Sequence, residues 1–311
     1  MNIFQKYESL SPIYKYGLTN HLPMMITALK QMGVEDSIID NVADNYVKKN
    51  DIPFLLDKQY PISEFEETYI SKTNLYLDQL AKDGKESTIK EFFTIANYSL
   101  SSGLFHGLIR LYYSVLENDN MLIAQALAYF ELISSKIILD GSVKNDTDSF
   151  TEMIDIISKT KFTFKTPGSM SKLNELIELP ELKDKLFTIR NIDRNEEILL
   201  DLFLRQYLKS ENFYILHVIT GFHALIELKQ YFADYQETLE QFFYVAQLFM
   251  LMHDYSKTIN DVTASDLVKL RARILELSDP HDIKLFFTIT KLSEKFNNEQ
   301  LNKVATMLFN K

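Results

Sequence analysis

Apolar residues recur along this chain three and four positions apart, in blocks longer than ten residues, while alternation with a period of two hardly appears over strand length. Each residue of an α-helix advances about 100°, so this spacing lays the apolar side chains of a block along one face. A chain patterned in this way can bury its apolar surface only by packing helix against helix. The expectation is an all-α fold, a multi-helix bundle of roughly ten or more helices, with any metal or substrate site assembled between its N- and C-terminal halves.

Local signals place the elements. Thr19 and Asn20 precede a block closed by Gly33, and Ser63-Glu64-Phe65-Glu66 has the S-x-x-E form of a capping box opening a helix expected to end near Gly84. Further helical blocks begin near Ser101 or Ser102 and cover about 119–139, 150–160, 171–188, 193–209, 212–233, 235–257 and 263–277. Asp279-Pro280 then supplies an N-cap and a first-turn proline for one more helix. The polar runs DGSVKNDTDS, Asp140 to Ser149, and TPGSMS, Thr166 to Ser171, are short enough to be loops. The chain therefore reads as one all-α domain over 1–311, with 1–140 and 150–311 as its halves if it divides.

Composition removes several function classes. With 33 Lys+Arg against 43 Asp+Glu the formal net charge is −10, and no basic run interleaved with aromatics is present to neutralise phosphates, so nucleic acid is not an expected partner. The opening MNIFQKYESL lacks a charged-then-apolar leader pattern, and the most apolar segment, FFYVAQLFMLMHDY, is too short and polar to span a bilayer. A soluble cytoplasmic protein without membrane association is expected, with homo-oligomerisation left open. None of the eight glycines belongs to a G-x-G-x-x-G or a P-loop, so flavin and nucleotide cradles of those kinds are absent. Cysteine is absent too, which excludes disulfides, thiolate nucleophiles and iron–sulfur clusters and leaves histidine and carboxylate as metal ligands.

Six histidines thus become the candidates for chemistry. His21 shares a helix face with Met25, Ala28 and Met32, the core side. His217 lies along Thr220, Gly221, Ala224 and Leu228, small and apolar residues that would let another helix approach closely. His223 lines up instead with Glu227 and Gln230, so His217 is the better interior candidate of the two. His106 heads a row of Arg110, Tyr113 and Glu117 that is either solvent-facing or a polar seam in a cavity. His281 sits near the face of Leu285, Thr288 and Leu292 with Lys284 beside it, and His253 shares a side with Phe242, Ala246 and Phe249. A lone histidine on an apolar face is more often a hydrogen-bonded core residue than a ligand, and a lone lysine such as Lys284 is ordinarily a snorkelling surface residue. Geometry along the sequence yields no function by itself.

Four segments taken in order, TNHLPMMITALKQMG, GLFHGLIRLYYSVLENDNMLIAQALAYF, LHVITGFHAL and DPHDIKLFF, resemble the questin oxidase-like family; the second carries most of the likeness. His223 and His253 match no position of that pattern. The resemblance implies oxygen insertion into a polycyclic aromatic ketone or quinone, of Baeyer–Villiger or ring-cleaving type. It also implies a non-haem iron, Fe(II), held by histidines from separate helices and by a lysine carrying a carbamate. On this sequence the implied ligands are His21, His106, His217, His281 and Lys284. Imidazole suits Fe(II), and a lysine supplies an oxygen ligand only after its neutral amine reacts with CO2, which desolvation favours. Arg110, Tyr113, Glu117 and Asp282 are the expected neighbours of the ligands, with Glu227 a further acceptor for an imidazole nitrogen. A small aromatic substrate is implied; no flavin motif is present, and a transiently bound nicotinamide reductant such as NADPH is left open.

Two other readings stand beside this one. LFMLMHDYSK is similar to the L-L-H-D-x-G-K helix of HD-type metal-dependent phosphohydrolases, which would use His217, His253 and Asp254, although Ser256 replaces the glycine. Alternatively the chain is a non-catalytic helical scaffold whose histidines are core residues.

Overall fold

The structure, a computed structural model, describes residues 2–55, 62–138, 145–147, 153, 156–157, 159–189, 195–252 and 262–310. Among the described residues there are thirteen α-helices and only two short ladders, Ile13–Tyr14 with Leu18–Thr19 antiparallel and Asn145–Thr147 with Phe187–Ile189 parallel. The all-α expectation holds.

The N-terminal helices are α1 (Ile3–Tyr7), α2 (Leu22–Gln31), α3 (Asp36–Asn50), α4 (Glu64–Ala96), α5 (His106–Glu117) and α6 (Asn120–Leu132). After them come α7 (Ser169–Ile177), α8 (Asn195–Ser210), α9 (Phe213–Glu227), α10 (Tyr235–Leu251), α11 (Leu267–Arg271), α12 (Pro280–Ser293) and α13 (Glu299–Leu308). Their starts follow ordinary capping chemistry, in which a side-chain oxygen accepts an N–H that the first turn leaves unpaired. Ser63 accepts from the Glu66 N–H and Glu66 reaches back, as the S-x-x-E spacing predicts. Asp119, Asn212, Asp234 and Asp279 cap α6, α9, α10 and α12 in the same manner.

Several expected boundaries move. The helix from Ser63 does end at Gly84, as expected: that glycine adopts φ +79 and ψ 163, outside helical geometry, and a second helix continues from there to Ala96, the two together making up α4. The block read over 171–188 closes at Ile177, because Pro180 opens a 3-10 turn to Lys185 and Phe187–Ile189 is strand. Apolar residues over 263–277 form only α11 and a 3-10 turn, Ile274–Glu276, with Leu270, Ile274 and Leu277 turned into the core regardless. The block over 119–139 stops at Leu132, and much of 150–160 and the end of 235–257 lie outside the described residues.

Buried apolar side chains form one connected cluster from Phe4 to Leu308. At its centre is α9, buried from Ile215 through Ile226 with no solvent face, the arrangement expected of a helix apolar all round. α5, α8, α10 and α12 pack against it, and α2 bridges α5 and α12. Close approach of α5 needs a missing side chain: a Cβ on Gly221 would sit 2.8 Å from Phe105 Cγ and 2.9 Å from its Cβ. The small-residue strip beside His217 thus does what its sequence suggests. No helix among the described residues is long and apolar enough to cross a membrane.

Gly221→Ala therefore has to displace Phe105, the residue immediately before His106. Overpacking of this kind is expected to cost about 1–3 kcal/mol, read as a lower urea midpoint at an unchanged slope.

Candidate metal centre

A strained backbone places the first ligand candidate. Gly103, Leu104 and Phe105 have φ of +56, +59 and +63, so left-handed residues run consecutively into the start of α5. Such a conformation costs about 1–2 kcal/mol for each residue with a Cβ, and it persists because Phe105 is locked in the core against Phe242, Phe249 and Gly221. The turn directs the Gly103 carbonyl at His106, whose Nδ1–H donates to it.

The other histidines arrive from separate helices. His217 lies one turn into α9 and its Nδ1–H donates to the Phe213 carbonyl at 2.8 Å. His281 begins α12, where Asp279 accepts both its backbone N–H at 2.7 Å and its Nδ1–H at 2.9 Å. Hydrogen bonds from His281 hold the Asp279 carboxyl at about 2, well ionised, so the proton belongs to the imidazole. His21 caps α2 and donates its backbone N–H to the Tyr46 hydroxyl at 3.1 Å. Its ring lies 4.7 Å from that of His106 and 4.4 Å from that of His281, centroid to centroid. One nitrogen each from His21, His106 and His281 falls within 4.8 Å of the others, and His217 joins through His106, Nε2 to Nε2 at 3.3 Å.

That last contact is chemically incomplete. Both rings have Nδ1–H committed to a carbonyl, so each presents an unprotonated Nε2 to the other. Protonation would repair it, but burial pushes both histidines well below their ordinary 6.5, and the neighbouring Lys284 and His281 push the same way. Two lone pairs therefore face one another. His281 repeats the pattern, because with Nδ1–H on Asp279 its Nε2 is an acceptor, buried and without a hydrogen-bond partner. Such a set of acceptor nitrogens has the chemistry to bind a cation, and an Nδ1–H tied to a carbonyl or carboxylate is how ligating imidazoles are oriented.

Lys284 is 0% exposed and its Nζ lies 3.3 Å from His21 Nδ1. No carboxylate among the described residues forms an ion pair with it. Desolvation lowers its ammonium to about 7, so a large share of the amine is neutral at pH 7. The expectation of a snorkelling surface lysine is overturned because α12 turns this position toward α2 and the core. Phe213 closes one side, with its ring 4.4 Å from that of His217 and 5.1 Å from that of His281, while remaining 46% exposed.

The structure thus brings His21, His106, His217, His281 and Lys284 together and redistributes their expected neighbours. The row below His106 is an interior seam, with Arg110 and Tyr113 both buried, but it runs away from the centre. Arg110 stacks over Tyr129 at 5.1 Å and the Tyr113 ring lies tilted against that of Phe287, centroids 5.3 Å apart. Glu117, at the far end of α5, pairs with Lys30 at 2.6 Å and is not the acceptor for a histidine. Asp279 holds that role for His281, in the place expected of Asp282, and Glu227 stands beside His223 at 3.7 Å. His223 does not face solvent: it is wholly buried, its Nδ1 3.2 Å from Thr288 Oγ1, since α9 has no outer side. Phe213 and Gly103 escape sequence reading because they act through backbone carbonyls, whereas Asp279 was visible as a cap. His253 and Asp254 lie outside the described residues.

No protein-family model and no curated protein sequence matches the chain.

His223 makes a pH prediction. Burial lowers it from 6.5 to about 3, so as pH falls from 6.5 toward 3 the unfolded chain takes up a proton that the folded chain refuses, and stability drops. Replacing it by glutamine removes this titration. His223→Gln is expected to be less stable than wild type at pH 7 but to lose less on going to pH 4, by on the order of a few kcal/mol, in chemical denaturation at both pH values.

Proposed function

We propose that the chain is a questin oxidase-like oxidoreductase that acts in the cytoplasm, inserting oxygen next to a carbonyl of a polycyclic aromatic ketone or quinone at a His-ligated non-haem iron. The observation carrying this reading is the 3.3 Å approach of the His106 and His217 Nε2 atoms, both unprotonated, beside the unpartnered Nε2 of His281. A scaffold of core histidines would give those acceptors donors; here a cation supplies what they lack.

The residues present fit such a group. His106, His217 and His281 have their tautomers set by Gly103, Phe213 and Asp279, and His21 adds a fourth imidazole. Lys284 supplies an oxygen ligand when its neutral amine attacks CO2: a C–N bond forms, one C=O π bond opens, and the amine releases a proton to give the carbamate anion. That anion brings negative charge to a centre where, among the described residues, Asp279 is the only carboxylate hydrogen-bonded to a histidine. Fe(II) held there would supply O2 activation, with a nicotinamide such as NADPH as the electron source. The half-exposed Phe213 ring offers a flat aromatic substrate a stacking face beside His217 and His281.

The test is purification without chelator or His tag, anaerobic Fe(II) loading, and metal analysis of wild type and variants. Wild type is expected to hold about one iron per chain, His106→Ala and His281→Ala to lose it, and Lys284→Met to weaken it roughly 10–100-fold. A carbamate resonance after 13CO2 labelling should appear in wild type and vanish in Lys284→Met. His223→Gln, away from the centre, should keep the metal. Wild type that folds but holds no metal after loading sinks the reading, and oxygen uptake with a polycyclic quinone and NADPH then tests the reaction.

A further inference from the structure

The histidine cluster is nearly sealed. His217 and Lys284 are fully buried, His21 and His106 almost so, and only the His281 side chain keeps 19% of its surface. Even there the Nε2 atom is buried. Chemistry at these nitrogens therefore requires a group at the solvent edge to move aside.

Phe213 is the group placed to do so. Among the described residues it is the one ring other than a histidine packed against the cluster, edge-on to His217 at 4.4 Å and to His281 at 5.1 Å between centroids. Its outer side meets solvent, so the ring has room to turn. Its backbone is held: the carbonyl accepts the His217 Nδ1–H at 2.8 Å, and Asn212 caps the helix through the N–H groups of Tyr214 and Ile215. The freedom left is rotation about the side-chain bonds, a motion much faster than chemical modification of a side chain.

We propose that the Phe213 ring is a gate: closed, it shields the His217 and His281 imidazoles, and turned outward it admits flat organic molecules to them while its own carbonyl keeps His217 oriented. A flat apolar ligand favours the open state, because its face replaces the edge contacts that the ring gives up. The gate goes beyond the oxidase reading and stands without it, since it governs the access of any reagent to these nitrogens.

The test uses the untagged full chain after EDTA treatment, with diethyl pyrocarbonate as the probe. This reagent transfers a carbethoxy group to a neutral imidazole nitrogen and releases ethanol and CO2, and mass spectrometry times the modification at each histidine at pH 7. Phe213→Ala is expected to raise the rates at His217 and His281 about tenfold or more, the factor being the inverse of the fraction of time the wild-type ring stands open. His223, wholly buried farther along α9 between Tyr112 and Thr288, should stay unreactive in both proteins, which separates an opened gate from a loosened core. The His217 Nδ1–H resonance should persist in Phe213→Ala, where the carbonyl remains. Should that variant not fold, Phe213→Leu, apolar but without a ring, is expected to give a smaller rise at the same two histidines. Equal rates in wild type and variants, a rise shared by His223, or a rise accompanied by loss of the His217 resonance overturns the proposal. No metal is involved in this measurement, so its failure leaves the iron reading standing, and a chain that binds no iron leaves the gate standing.

Discussion

Four imidazoles and a lysine share one largely buried region, and among the described residues the only acid hydrogen-bonded to any of them is Asp279. Taking basic groups out of water without counter-charges is costly, and the fold avoids most of that cost by keeping the groups neutral. Burial drives His21, His106 and His217 far down and brings Lys284 to about 7. Neutrality has a consequence: rings whose Nδ1–H is already spent present bare lone pairs to one another. The centre is in this sense an acceptor set assembled by the core, and the proposed cation and carbamate are the charges that would complete it.

The scaffold around it is built to hold those rings still. α9 has no solvent face, so His217 cannot swing away, and the absence of a side chain at Gly221 lets Phe105 pack against it. Phe105 in turn fixes a left-handed approach to α5 that aims the Gly103 carbonyl at His106. At α12 one aspartate serves as helix cap and imidazole acceptor together. Each orienting group is thus part of the backbone or of a cap, which costs less mobility than a long side chain would.

Helix type was legible because 3.6-residue periodicity reports a local property, and the caps at Ser63 and Asp279 were legible for the same reason. Ends were legible where a glycine breaks the ladder, as at Gly84, and less so where Pro180 divides a block whose apolar pattern runs straight through it. Faces could be read for His21 and His217, where small and apolar neighbours mark the interior. His223 was misread because glutamate and glutamine one turn away imply a wet face, yet α9 is enclosed on every side and Glu227 finds Lys295 at its end. Glu117 was misassigned in the same way, its position on α5 being known but not its neighbour Lys30.

By itself the sequence determined that helices would form, that no thiol chemistry is available, and that histidine and carboxylate are the side chains left to hold any metal. It also determined that no local segment could do this alone, because the four histidines are separated by 85, 111 and 64 residues. Which nitrogens face each other, which carbonyls hold their protons, and that Lys284 is buried while Glu117 is not part of the site were decided only by tertiary structure. The reason is physical: periodicity sets the face a side chain leaves from, but the crossing of α2, α5, α9 and α12 sets what it meets there.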